Sequence, residues 1–165
     1  MKYFIKIVLT LLFGIYLTAL ANQILFKYVS PSEMVSHFKS ATWQNYNFIP
    51  FKTIVYYLFL ADINLNIRYI RVMNLVGNII GFIPFGIILP LLLKKFMKLK
   101  RVLIAVFCLS FTYEITQLLF KIGSFDIDDL ILNTLGGVLG YLPIKLVLIF
   151  INSKKKYLKE EVLVK

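Results

Sequence analysis

The stretch Phe111-Thr-Tyr-Glu-Ile-Thr-Gln117, followed by Gly123-Ser-Phe-Asp-Ile-Asp-Asp-Leu-Ile-Leu-Asn-Thr-Leu-Gly-Gly137, sets four carboxylates and two carboxamides at the junction of two apolar runs. Both runs are apolar enough to cross a bilayer, where a buried charge costs several kcal/mol by most estimates. On a helical period Ser110, Glu114, Gln117 and Lys121 fall on one stripe of the first run. Asp126, Asp129, Asn133, Gly136 and Gly140 do the same on the second. The rest of the chain reads as a scaffold that brings these two stripes face to face.

The composition around this stretch excludes a soluble globular domain. The 165 residues are 59% hydrophobic and 16% charged, with a mean hydropathy of +0.80. The apolar runs 7–26, 72–93, 102–120 and 130–151 each approach the length that a hydrocarbon core requires. These features predict an all-α integral membrane protein, a bundle of four transmembrane helices. The piece 54–61 is too short to span and predicts an interfacial or re-entrant short helix in the first external loop. The expected organisation is a first helix over 1–26, an external loop over 27–71, a core of three helices over 72–151 and a basic tail over 152–165. Ala19-Leu-Ala21 before Asn22 also resembles a small-residue cleavage site, so a signal peptide is the alternative reading of the first run.

The net charge of +11 accompanies no nucleic-acid motif, and the lysines flank apolar spans. They are read as topology signals and contacts to anionic membrane lipids. With both termini and the 94–101 connection on the cytoplasmic side, that side holds 13 basic and two acidic residues, against six of each on the other. The lone Cys108 lies in an apolar run and reads as a buried thiol packing like a small hydrophobe. His37 reads as a solvated loop histidine, and Trp43, Tyr46, Tyr56 and Tyr57 as interfacial anchors. Gly77 with Gly81, and Gly136 with Gly140, form two GxxxG pairs that permit close backbone approach.

In this topology Asn78, Glu114 and Asn133 lie at one level, roughly 10 Å below the outer end of their helices at 1.5 Å rise per residue. Asn74 and Asn78 stack one turn apart, on the stripe of Arg71 and Gly81. The candidate binding set is therefore Asn74, Asn78, Glu114, Gln117, Asp129 and Asn133, with Asp126 and Asp128 at the rim and Arg68 and Arg71 above as counter-charges. Simple cross-helix hydrogen bonding is the plain alternative, but it needs only one or two such groups. If the site is catalytic, Glu114 is the candidate acid or base, with Asp126 or Asp129 as its partner. No serine, cysteine or histidine nucleophile constellation accompanies them. Asp-x-Asp-Asp would suit a hard cation, but zinc lacks its usual partners, and neither a bound metal nor a cofactor is expected. Four spans make a transport path only as an oligomer, and the acids do not track across the membrane.

Four stretches, Asn47-Phe-Ile-Pro-Phe51, Asn74-Leu-Val-Gly-Asn-Ile-Ile-Gly-Phe-Ile-Pro-Phe-Gly86, Glu114-Ile-Thr-Gln117 and Phe125-Asp-Ile-Asp-Asp-Leu-Ile-Leu-Asn-Thr-Leu-Gly-Gly137, occur in the order seen in the VanZ-like family of small bacterial membrane proteins, which the chain resembles. Where that family often carries an arginine before the phenylalanine-aspartate pair, this chain has Ile122, Gly123 and Ser124, with Lys121 the nearest cation. The resemblance implies a multi-pass protein of the bacterial cell membrane, associated with tolerance of glycopeptide antibiotics, teicoplanin above all. The partners it implies are membrane lipids together with a cell-wall precursor or a lipoglycopeptide.

Overall fold

A computed structural model describes residues 2–27, 30, 32, 46–60 and 65–164. His37 and Trp43 lie outside the described residues. The long helices are α1 (Lys2–Leu25), α3 (Leu65–Leu92), α4 (Leu99–Phe120) and α5 (Ile127–Val164). Each contains a segment long and apolar enough to cross a membrane. Between α1 and α3 come the strand β1 (Tyr46–Asn47) and the short helix α2 (Lys52–Val55), which runs on as a π-helical turn over Tyr56–Leu60. Residues 46–60 thus form a strap containing the short helix that the first loop was expected to hold. A second strand, β2 (Phe125–Asp126), pairs with β1 in parallel, Tyr46 opposite Phe125 and Asn47 opposite Asp126.

Two boundaries differ from the sequence reading. Helix α3 begins at Leu65 instead of near 72, because the exposed polar residues Asn66 and Arg68 and the half-buried Arg71 continue the helix beyond the apolar run. Helix α5 continues through the basic residues after 151 to Val164. Lys, Glu and Leu are all good helix formers, so loss of hydrophobicity there ends the span without ending the helix.

The core is the seam of α3, α4 and α5. Phe82, Phe85, Leu89, Val102, Val106, Tyr113 and Tyr141 are buried together, and Leu20 joins them from α1. Helices α3 and α5 pack most extensively, and small residues on α5 make that closeness feasible. A Cβ added at Gly136 would overlap the Ile79 carbonyl, and one at Gly140 the Ile83 carbonyl. The earlier pair behaves differently from expectation. Gly77 has open space beside it, and Gly81 meets only the Leu20 side chain. On α3 it is Gly86, one further turn along, that lies against α5 backbone. A GxxxG spacing marks a smooth face without saying which register of that face the partner uses.

Helix α1 is docked on this seam through side chains. Phe13 meets Phe85 with ring centroids 5.5 Å apart, and the Tyr16 hydroxyl donates to the Gly81 carbonyl at 2.7 Å. In Tyr16→Phe that bond is lost, and we expect destabilisation of about 1 kcal/mol, read as a lower thermal midpoint of the detergent-solubilised protein. At the other end of the bundle a 3-10 turn (Lys94–Phe96) joins α3 to α4. It is held where Tyr141 donates its hydroxyl to the Met97 carbonyl at 2.6 Å and Arg101 donates to the Lys95 carbonyl at 2.7 Å.

Cys108 is exposed, on the outward side of α4 with Ile104, Phe107 and Phe111, and is not the buried thiol its neighbours implied. Inside a bilayer both faces of a helix are apolar, so an apolar run does not reveal which residues face the core.

Candidate polar site beneath the strap

The ends of α1, α3, α4 and α5 that carry Lys27, Leu65, Phe120 and Ile127 lie together with the strap at one end of the bundle. Helix α4 ends there as Lys121 takes a left-handed conformation, φ 55°, and Ile122 donates its N–H to the Gln117 carbonyl. That turn removes Lys121 from the polar stripe. Ser110, Glu114 and Gln117 remain on it, all buried.

Asp126 precedes α5 as its N-cap. Its Oδ1 accepts the Asp128 N–H at 2.9 Å, satisfying one of the donors that a helix start leaves open. The same carboxylate ties down the strap, for Asn47 donates its Nδ2 to Oδ1 at 3.0 Å and Thr53 donates its hydroxyl to Oδ2 at 2.6 Å. Asp128 binds the strap's backbone. Its Oδ2 accepts the N–H groups of Thr53 at 2.7 Å and Ile54 at 3.1 Å, and Oδ1 accepts that of Phe51. A buried carboxylate therefore caps α2 across 74 to 77 residues of sequence. Phe51, at φ 66°, adopts a left-handed conformation that aims its N–H at this group.

These bonds correct one expectation. Asp126 and Asp128 do not form an open rim; they are 9% and 0% exposed, because the strap folds back over them. Glu114, 1% exposed, supports the same junction from below, its Oε2 accepting the Asp126 N–H at 2.8 Å. Asn133 is equally buried and donates to the Ser110 hydroxyl at 2.8 Å, joining α5 to α4. Gln117 reaches across to α1, donating its Nε2 to the Ile24 carbonyl at 2.8 Å, one of the carbonyls that a helix end leaves without an internal partner.

Above these contacts lies a cavity of about 140 Å³. Of the residues singled out by sequence, Asn74, Asn78, Gln117, Asp126 and Asp129 line it. Glu114, Asp128 and Asn133 lie behind its wall in the contacts just described. Arg68 and Arg71 do not line it. Arg68 donates to the Leu58 carbonyl at 2.7 Å, and the Arg71 guanidinium sits 5.5 Å from the Tyr56 ring centroid and 5.6 Å from that of Tyr57. Both arginines brace the strap's π turn. Five polar lining residues, Gln23, Lys27, Thr53, Tyr57 and Ser124, were outside the set named from sequence. Lys27 had a readable signal, a cation immediately after the first apolar span, but nothing in the sequence aims it inward.

Asp129 faces the Asn78 carboxamide and is attracted by Lys27, which also attracts Glu114. Asn78 Nδ2, Asn133 Oδ1 and Thr134 Oγ1 are buried without a close hydrogen-bond partner among the described residues. Among the described residues no three histidine, cysteine or carboxylate side chains are grouped to hold a metal ion. The cavity's chemistry is therefore that of carboxylate, carboxamide, hydroxyl and ammonium groups.

Four apolar helices enclosing a roofed polar cavity at one end define a multi-pass membrane protein. The chain belongs to the VanZ/LLP1 family, whose model matches residues 13–150 and so takes in every residue of the site. It is 45% identical over 67 residues to Protein VanZ of Enterococcus faecium, an alignment covering 41% of each chain. No solved structure matches.

Proposed function

We propose that this chain is an envelope protein whose polar cavity opens outward and engages a lipid-linked or amphiphilic molecule, thereby contributing to glycopeptide tolerance of the kind associated with teicoplanin. In this reading both termini are cytoplasmic, as the concentration of basic residues on that side supports. Residues 27–71 face outward over the core of 72–151, and 152–165 form a cytoplasmic tail. The cell membrane of a bacterium is the proposed location.

The observation that carries the proposal is the cavity itself, a polar space within an apolar bundle, lined by Asn78, Asp129 and Lys27. Binding is preferred to acid-base catalysis at Glu114, since that residue lies behind the wall with an oxygen engaged by Asp126. The cavity admits a headgroup or an end of a chain, and a whole glycopeptide would contact the strap's exposed Phe48, Ile49 and Phe59 instead.

In a teicoplanin-sensitive host, expression of the wild-type chain is expected to raise the inhibitory concentration. Asp129→Asn at equal membrane abundance returns it to that of the empty vector. Identical susceptibility with and without the gene rejects the link to tolerance.

A further inference from the structure

We propose that the cavity is entered from the side, between α1 and α3, by a phospholipid of the surrounding leaflet, and that Gly77 keeps open the slot in which the first methylenes of one acyl chain lie. This deepens the amphiphile-binding reading and rests on it.

The lining of the cavity is buried or half-buried except at Gln23 on α1 and Met73 on α3, which are exposed. Both residues belong to segments long and apolar enough to cross a membrane, so the mouth they flank faces lipid. Thr53 and Tyr57 of the strap line the cavity from above. Along α3 the lining runs Asn74, Asn78, Phe82, and along α1 Lys27, Ile24, Leu20, so it turns from polar to apolar with depth. The gap closes at Gly81, where an added Cβ would lie 3.3 Å from the Leu20 side chain. The polar groups here answer one another, Asp129 meeting the Asn78 carboxamide and the Lys27 charge, so the feature that calls for an occupant is the space itself. Gly77 defines that space. A glycine inside a helix is less favourable than alanine, and its usual uses are a left-handed backbone or a close helix contact. Gly77 serves neither: its φ is not positive, and a Cβ built on it meets no neighbouring helix or side chain within 4 Å. It lines the cavity, and the effect of its missing side chain is room between α1 and α3. The volume of about 140 Å³ is close to the roughly 150 Å³ that encloses a benzene molecule, so the cavity holds about six carbons and no whole lipid. The remainder of an amphiphile must stay outside, and a mouth between spanning helices lets it stay in the bilayer.

The purified full chain is reconstituted in nanodiscs of phosphatidylglycerol, a fraction of which carries a diazirine near the carboxyl end of one acyl chain. After illumination the labelled residues are mapped by mass spectrometry. Ile80, exposed on α3, is labelled from the bilayer in every sample and serves as the standard. Phe82 is fully buried and Leu20 nearly so, so label reaches them only by way of the cavity that both line. Both are expected to be labelled in the wild-type chain. Gly77→Leu, whose side chain fills the slot, is expected to lower that labelling roughly tenfold relative to Ile80. Met73→Trp, a change at an exposed position that narrows the mouth, lowers it as well. Gly14→Leu, the same substitution at a glycine with open surroundings outside the cavity, leaves it unchanged. Wild-type chain labelled at Ile80 but at neither Phe82 nor Leu20 overturns entry from the bilayer; if that chain still raises the teicoplanin inhibitory concentration in a sensitive host, the broader reading stands without it. Full labelling in folded Gly77→Leu overturns the role of Gly77, and full labelling in Met73→Trp overturns the path between α1 and α3. Labelling of the cavity in a chain that confers no tolerance supports the lipid site and rejects only the link to tolerance.

Discussion

Gly136→Ala is expected to yield little folded protein, and Gly136→Ala with Gly140→Ala less still. Intrinsic helix propensity predicts the opposite, since alanine in a helix interior is favoured over glycine by about 1 kcal/mol. The obstacle is what the new methyl groups meet. At both positions the added Cβ overlaps a backbone carbonyl of α3, that of Ile79 or Ile83. A flexible side chain could swing aside, but a helix carbonyl moves only if the helix moves. Separating α3 from α5 would also open the seam around Phe82, Phe85 and Tyr141. The cost should therefore exceed the upper end of ordinary overpacking, about 3 kcal/mol. Size-exclusion yield and thermal unfolding of the solubilised variants measure it. Gly14→Ala is the control, having open space beside it, and should be neutral or slightly stabilising. Equal yields for Gly136→Ala and Gly14→Ala would mean that the helix seam is not as close as described.

Asp128→Asn should release the strap while leaving the four long helices folded. The carboxylate accepts three backbone N–H groups, those of Phe51, Thr53 and Ile54, in a fully buried position. A carboxamide of the same shape has one acceptor oxygen and sets an NH2 group against N–H donors. At least one buried donor is left unsatisfied, at a cost of about 1–3 kcal/mol. Losing the charge weakens the remaining bonds as well, so a total on the order of 3 kcal/mol is expected. Amide hydrogen exchange at 51–54 reads this directly and should accelerate about a hundredfold, with α3 and α5 unchanged. Unaltered exchange at those amides would contradict the account of Asp128 as the strap's anchor.

The long helices were legible because apolar runs of spanning length are strong signals. The buried polar stripe of α4 was equally readable, since Ser110, Glu114 and Gln117 need only a helical period to share a face. The reading weakened wherever the backbone leaves that period. Lys121 was placed on the α4 stripe, yet it leaves the helix in the left-handed conformation. Asn47 and Thr53 lie more than 70 residues from the carboxylate they hold. No local pattern signals a hydrogen bond over that separation, although the Asn47-Phe-Ile-Pro-Phe51 stretch was already singled out for its family resemblance. The two arginines were assigned to the acids on charge alone. In the structure Arg68 donates to a carbonyl of the strap and Arg71 lies over two of its aromatic rings.

The parallel pairing of β1 with β2 also dictates an order of events during biosynthesis. Tyr46 and Asn47 find their partners at Phe125 and Asp126, on the far side of two complete spans. At ribosomal speeds of about 5–20 residues per second, the early segment waits several seconds or more before the last helix emerges to receive it. During that interval Phe48 lacks the Phe125 ring and the Phe51 N–H lacks the Asp128 carboxylate, so the closing contact between these distant stretches is necessarily among the last to form.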